Sequence, residues 1–355
     1  MRVCVVDLSG PFGPLRSYLG LTPELRRLGV TLEFVVPEHS VDLVSSAVPE
    51  ATIRVVSSRH SFRRDLEVAT AVRQSVRTGS AVVHANTTSA SRGAALGTVR
   101  LRSPLVVHLR NSSLSARERA LLVLTVHALH DVRFLAVSEA AASVAGSTIG
   151  CRSTIIRDPI APVPIRPDSG LSQVARIGVV VNQQPTKGFD VFARTAALLR
   201  DVPVHWDVYG SAGIDPPAND FVADARRVVE RAGLKDQVTY HGPVQDLVGR
   251  YSQMDAVFVT SRRESFSLVC AEAMRAGTPL VAPRIPGLLE TIAGGRFAAT
   301  YRVADSEDAA EVIRELLGSY PNALRRADEA RTWAGSEFDP VRVALQIYDV
   351  YGHRS

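Results

Sequence analysis

Along the 355 residues, short β-branched runs alternate with longer stretches whose apolar positions recur every three or four residues. That alternation predicts a parallel sheet covered by helices. Val3–Val6 reads as a buried strand, because consecutive apolar residues leave no polar face for solvent. The runs "VTLEFVVP", "ATIRVVS", "AVVHAN", "LVVHLR" and "FLAVS" continue the series. After the first strand, Leu15, Tyr18 and Leu19 have helical spacing. Thr22-Pro23 starts a further helix with Leu25 and Leu28 on one face, and Gly29 stops it. Around 157–172 the periodicity ends in the proline-rich "RDPIAPVPIRPDSGLS", which has the composition of a linker. A second series then begins with "ARIGVVV", "VHWDVYG", "VTYHG", "AVFVTS" and "PLVAP", separated by helical patterns such as "FVADARRVVERAG".

The expected fold is therefore α/β, with two Rossmann-like domains whose parallel sheets face a central cleft where ligands bind. The predicted boundaries are 1–160 for the first domain, 161–172 for the linker and 173–335 for the second domain. A terminal helix follows at 336–355, and its packing partner is left open by the pattern.

Composition narrows the class. The chain is 46% apolar, enough for sizeable cores, and no apolar run reaches the length of a membrane span. The start "MRVCVVDLSG" carries only a short apolar patch before Asp7, so the expectation is a soluble, cytoplasmic protein without a signal peptide. Cys4, Cys151 and Cys270 are scattered, with neither a disulfide framework nor a metal-ligand spacing. Residues 1–170 hold 20 Arg, no Lys and 13 acidic residues, a net +7; the remainder, with 21 basic and 23 acidic, is −2. The arginines are too dispersed for a nucleic-acid stripe, and they suit a solvated surface, an anionic acceptor or a peripheral membrane contact. Only two lysines occur, Lys187 and Lys235. Lys235 lies in a helix-end turn, so Lys187 is the one that invites a chemical role.

The stretch "ESFSLVCAEAMRAGTP" holds Glu264 and Glu272 eight residues apart. Ser265 or Ser267 is placed to cap a helix that Gly277 ends, and the strand "AVFVTS" delivers the chain to that start. Backbone N–H groups of Phe266, Ser267 and Leu268 would face outward and favour an anionic phosphate. At ~100° per residue the two glutamates lie on different azimuths, suited to separate parts of an extended ligand. Taken alone they equally fit ordinary helix chemistry, Glu264 as a dipole partner and Glu272 as a rim carboxylate.

They do not stand alone. "ESFSLVCAEAMRAGTPLVA" (264–282) resembles the hallmark E-x-F-x-L-x-x-x-E-A-M-x-x-G-x-P-x-V-A of the nucleotide-sugar-dependent glycosyltransferases of the two-Rossmann-domain (GT-B) type, family 4 (group 1). "PTKGFDVFARTAALL", "VYGSAG", "VTYHGPVQDLVGRYSQMDAVFVTS", "PGLLETI" and "RVADSEDAAEVIRELL" resemble its other segments in order. The likeness is continuous over about 173–318 and patchier before, at "LVVHLRNS", "FLAVSEAAA" and "STIIRDPI". It implies transfer of a sugar from a nucleoside-diphosphate donor to a hydroxyl acceptor, with retention of configuration, no required cofactor and no metal.

The resemblance also assigns roles. Glu272 would accept hydrogen bonds from the donor ribose and Glu264 from the donor sugar, while Phe266, Ser267 and Leu268 hold the diphosphate. Lys187 would stabilise the departing diphosphate, and Gly188 would permit close approach. His108 would face the transferred sugar, with Arg110 and Asn111 near it. By position after the first strand, Gly10 and Gly13 would border donor phosphate or acceptor or simply punctuate a turn, and His84, Asn86 and Thr87, at another strand end, are candidate acceptor contacts. The chain departs from the family where Val181 and Asn182 replace a common arginine, which Arg262 or Arg263 would have to supply. The rival readings are a nucleotide-sugar epimerase on the same architecture and a non-catalytic donor-binding subunit. A dehydrogenase is disfavoured by the lack of Gly-x-Gly-x-x-Gly after the first strand of either half.

Overall fold

A computed structural model describes residues 1–10, 13–58, 60–101, 103–128, 131–167, 170–211, 216–244 and 246–352. Pro11 and Phe12 of the Gly10–Gly13 loop, Ala212 and Gly213 of "VYGSAG", and residues 168 and 169 of the proline-rich segment lie outside the described residues. The chain divides into two units, Met1–Ala161 with Phe338–Ser355, and Pro162–Glu337.

The first unit is built on seven strands: β1 (Arg2–Val6), β2 (Thr31–Pro37), β3 (Thr52–Val56), β4 (Val82–Ala85), β5 (Leu105–Leu109), β6 (Val132–Ala136) and β7 (Ser153–Ile155). They pair in the order β3-β2-β1-β4-β5-β6-β7, every pairing parallel. β4 and β5 are buried along their whole length, as expected of central strands covered on both faces. The core gathers Val3, Val5, Phe34, Val106 and Leu135 from the sheet with Leu15, Tyr18 and Leu25 from the first helices. Val343, Ala344, Ile347 and Tyr351 of the helix Pro340–Gly352 complete it. The last helix thus closes the core of the unit that the chain began.

The second unit repeats the winding with β8 (Ala175–Val180), β9 (Val204–Tyr209), β10 (Val238–Gly242), β11 (Ala256–Phe258), β12 (Leu280–Pro283) and β13 (Ala299–Tyr301), in the order β10-β9-β8-β11-β12-β13. Its core centres on Trp206, Phe189, Phe192, Phe258 and Tyr301. In both sheets the order reverses beside the unit's first strand. Loops leaving β1 and β4, or β8 and β11, diverge there and open a crevice at the strands' C-terminal ends.

β7 and β13 are strands that the hydrophobic pattern did not signal. Each is three residues long, "STI" and "ATY", and lacks an apolar run. They are strands because a neighbour holds their register, Phe134 opposite Ser153 and Val281 opposite Ala299. Among the described residues no helix is long and apolar enough to cross a membrane.

Candidate active site

At the crevice of the second unit the loop after β8 makes a single 3-10 turn, Pro185–Lys187, then passes through Gly188 into the helix Phe189–Leu198. Gly188 has φ +70, and a Cβ there would lie 1.9 Å from the Thr260 carbonyl oxygen. Only glycine allows the two loops to approach this closely. The loop after β11 carries Thr260, Ser261 and Glu264. Lys187 Nζ donates to Glu264 Oε1 at 2.7 Å, and Ser261 Oγ donates to the same oxygen at 2.8 Å. The lysine side chain is 35% exposed and the glutamate 15%, so a ligand arriving from solvent meets the pair directly. Sequence reasoning placed these residues on different parts of a donor; the fold brings them into one ion pair.

The helix Leu268–Ala276 follows. Ser267 caps it by accepting from Cys270 N, and Gly277 ends it at φ +73. Of the two capping candidates, Ser267 is the one used. The backbone N–H of Ser267 is not open: it donates to Thr291 Oγ1 at 3.3 Å. This corrects the expectation of three outward-facing amides at 266–268. The cause is the helix Pro286–Thr291, which packs against the loop of Glu264. A Cβ on Gly287 would come within 2.4 Å of the Glu264 and Ser265 carbonyl oxygens.

Glu272 is half-buried in that helix and accepts from Tyr251 OH at 2.9 Å. Tyr251 is fully buried. Burial first, then the Glu272 charge, holds its phenol well above the usual range, so it stays a donor. Nothing in the spacing pointed to Tyr251, because it meets Glu272 only through the packing of two helices.

The two arginines proposed as substitutes for the missing one differ sharply. Arg262 forks onto both carboxylate oxygens of Asp190 at 2.8 and 2.7 Å and also donates to Pro185 O at 2.6 Å. Burial pushes the Asp190 carboxyl up, but the hydrogen bond and charge of Arg262, with help from Arg194, outweigh it and leave it below the ordinary value. Arg263 is exposed and makes no hydrogen bond or ion pair among the described residues. Val181 is buried, and Asn182 is exposed.

In the first unit the sequence-predicted residues form a sealed layer. Asp7 accepts from Ser9 N at 2.7 Å and from Asn86 Nδ2 at 2.6 Å. His84 Nδ1 lies 2.6 Å from Tyr351 OH, which in turn lies 2.8 Å from Tyr18 OH. His108 is 1% exposed, stacks on His84 with centroids 5.5 Å apart, and has Arg110 3.3 Å from its Nδ1. Arg110 pairs with Asp158, which also accepts from Ser17 Oγ at 2.5 Å. Burial, then the Arg110 charge, drives His84 down to about 3 and His108 well below its usual value. Both rings are therefore neutral near pH 7, and the Nε2 atoms of both lack a hydrogen-bond partner among the described residues. Gly10 sits at φ +76 after β1, and Gly13 begins the helix Gly13–Leu19.

Two doubly wound parallel sheets, each with its reversal point, define a protein of the two-Rossmann-unit GT-B class. Residues 173–319 match the family described as glycosyl transferases group 1. It is 36% identical over 157 residues to the D-inositol 3-phosphate glycosyltransferase of Arthrobacter sp. FB24, covering 42% of this chain and 35% of that protein. Its Mycolicibacterium vanbaalenii counterpart is 35% identical over 196 residues, 52% and 44% of the two chains. The chain thus matches less than half the length of these curated relatives. In fold it is similar to Anabaena HepE, crystallised with UDP and glucose, at a TM-score of 0.83 and 22% identity over the whole of both chains.

Proposed function

We propose that the chain transfers a sugar from a nucleoside-diphosphate donor to a hydroxyl acceptor, with retention at the anomeric carbon. The observation that carries this reading is the Lys187–Glu264 contact of 2.7 Å, set at the crevice of the unit that matches the group 1 family. In the reaction the bond from the anomeric carbon to the β-phosphate oxygen breaks. The bond to the acceptor oxygen forms on the same face, and the acceptor proton passes to the departing phosphate. Lys187 offers a point charge to the oxygen on which negative charge grows, the term that most lowers such a barrier. Arg263 is the second cation available to the diphosphate.

Glu264 accepts hydrogen bonds from the donor sugar, and Glu272, oriented by Tyr251, from the ribose. Gly188, Phe266 and Leu268 line the phosphate side; Ser267 contributes its cap rather than its amide. Gly10 and Gly13 border the acceptor side. For His108 the reading requires access to the sugar that the enclosed Nε2 does not have in this structure. With cations of the chain serving the diphosphate, we read the reaction as needing no resident metal, and turnover in chelator tests that. The net +7 of residues 1–170 suits an acceptor that carries phosphate, free or at a membrane surface.

The relatives' names suggest inositol 3-phosphate as the first acceptor to try, and the HepE complex suggests UDP-glucose as the first donor. The test is a thermal-shift screen of UDP, GDP and ADP sugars, followed by transfer assays with anomer analysis by NMR. An α-linked product from an α-linked donor supports the reading. Conversion of donor without acceptor would make the protein an epimerase, and binding without turnover a donor-binding subunit.

A further inference from the structure

Arg262 was a candidate phosphate ligand, yet its hydrogen bonds run to the Pro185–Lys187 turn and to Asp190. The Pro185–Lys187 turn exposes three consecutive carbonyls, and the β11 loop takes all three. Pro185 O accepts from Arg262 Nη1 at 2.6 Å, Thr186 O from the Arg262 backbone N–H at 2.9 Å, and Lys187 O from Thr260 Oγ1 at 2.7 Å. Within the turn Pro185 O also accepts from Gly188 N–H at 3.2 Å, whereas the Thr186 and Lys187 carbonyls would otherwise bond water and leave the turn free to shift. Asp190, in the first turn of the next helix, holds the other edge of the guanidinium. The fork geometry orients Arg262 in a way that a lysine could not. Ser261, between the two gripping residues, aims the Glu264 oxygen that Lys187 also meets.

We propose that Thr260 and Arg262, braced by Asp190, form a clamp that positions Lys187 against Glu264, with Arg262 acting as a positioning residue rather than a phosphate ligand. The catalytic meaning of the clamp rests on the function proposed above; its structural content does not. Pre-setting a lysine in this way matters because small misplacements of a charge-stabilising group are costly in rate.

The chain has only two lysines, so protein labelled with ¹³C,¹⁵N-lysine yields two ε-methylene signals. Lys235 is exposed and serves as the internal reference. The wild-type Lys187 signal is expected to be displaced from that of Lys235 and to move when Glu264 is changed to Gln. In Arg262→Gln and in Thr260→Val it should collapse toward the Lys235 position, while the melting curve stays cooperative. Arg194→Gln removes only the outer, exposed partner of Asp190 and should leave the signal in place. Kinetically the clamp variants should lose roughly tenfold or more in kcat with KM within about threefold, the mark of lost transition-state interaction.

A Lys187 signal already coincident with that of Lys235 in the wild type overturns the clamp. So does one that stays put in both Arg262→Gln and Thr260→Val. If the signals move as expected but no donor and acceptor pair gives transfer, the clamp stands and the proposed function falls.

Discussion

The two crevices are alike in topology and opposite in chemistry. In the second unit the polar groups are charged, paired across two loops and partly open to solvent, with Lys187 35% exposed. In the first unit they are buried and include two neutral histidines, each with an Nε2 that has no hydrogen-bond partner among the described residues. A charged pair at a solvent-facing edge costs little to desolvate and can exchange its partner for a ligand. A buried histidine with a donor already beside it is held by its surroundings and costs stability if it gains a proton. The second crevice thus presents charges that can change partner, as the proposed donor site requires. The first is built to hold a strand end and the terminal helix in register, through Tyr351.

The sharpest way to break this contrast is to remove the exposed charge. Lys187→Gln is expected to lower kcat/KM by about 10²–10³-fold, the usual cost of deleting one transition-state donor, with little change in unfolding midpoint. Steady-state kinetics on whichever donor the thermal screen identifies checks this. Near-wild-type turnover would remove the lysine from the mechanism.

The next effect belongs to the first unit and runs through pH. His84 in the folded chain titrates at about 3 instead of the ordinary 6.5, and His108 is lowered too. Below 6.5 the unfolded chain therefore binds protons that the folded chain refuses. Stability is full above that pH and falls as pH drops from 6.5 toward 3. The slope approaches about 1.4 kcal/mol per pH unit for each such histidine. Urea unfolding at pH 7, 6 and 5 reads it directly. A flat profile would mean that these rings are not sealed.

Tyr351→Phe probes the same layer without changing charge. It deletes the bonds to His84 and Tyr18 and leaves a buried ring nitrogen unsatisfied, a loss of about 1–3 kcal/mol. The loss should appear as a lower urea midpoint at unchanged slope. The smallest effect returns to the second unit. Tyr251→Phe removes one hydrogen bond that orients Glu272 and should weaken donor binding by about 3–10-fold, equivalent to roughly 0.5–1.5 kcal/mol, with kcat preserved. Nucleotide titration calorimetry checks this, and a loss of kcat instead would move Glu272 from ribose binding into the chemistry.

Much of this was legible in the chain. The central strands could be read because a strand buried on both faces is necessarily a run of apolar residues. The helix at 268–276 could be read because Ser267 and Gly277 carry cap chemistry that depends on local backbone geometry alone. β7 and β13 escaped because a three-residue strand is stabilised by its neighbour and not by its own residues. Tyr251 and Thr291 escaped for the same reason, each meeting the site through helix packing across tens of residues. Arg262 was visible as a cation, but its partner was not. Asp190 lies 72 residues away, and only the winding of the sheet brings the two loops to one crevice.

The amino-acid order by itself determined the longer strands and helices and that Ser265 or Ser267 caps the helix that Gly277 ends, while its likeness to the group 1 hallmark singled out Lys187, Glu264 and Glu272 as candidates. The elements follow from local periodicity and cap chemistry, the candidates from the motif resemblance. The tertiary structure decided that Lys187 and Glu264 pair, that Arg262 grips a turn, that Ser267 lends its amide to Thr291, and that the last helix closes the first core. Each of those is a contact between segments distant in the chain, set by sheet order and packing, to which local sequence preferences are blind.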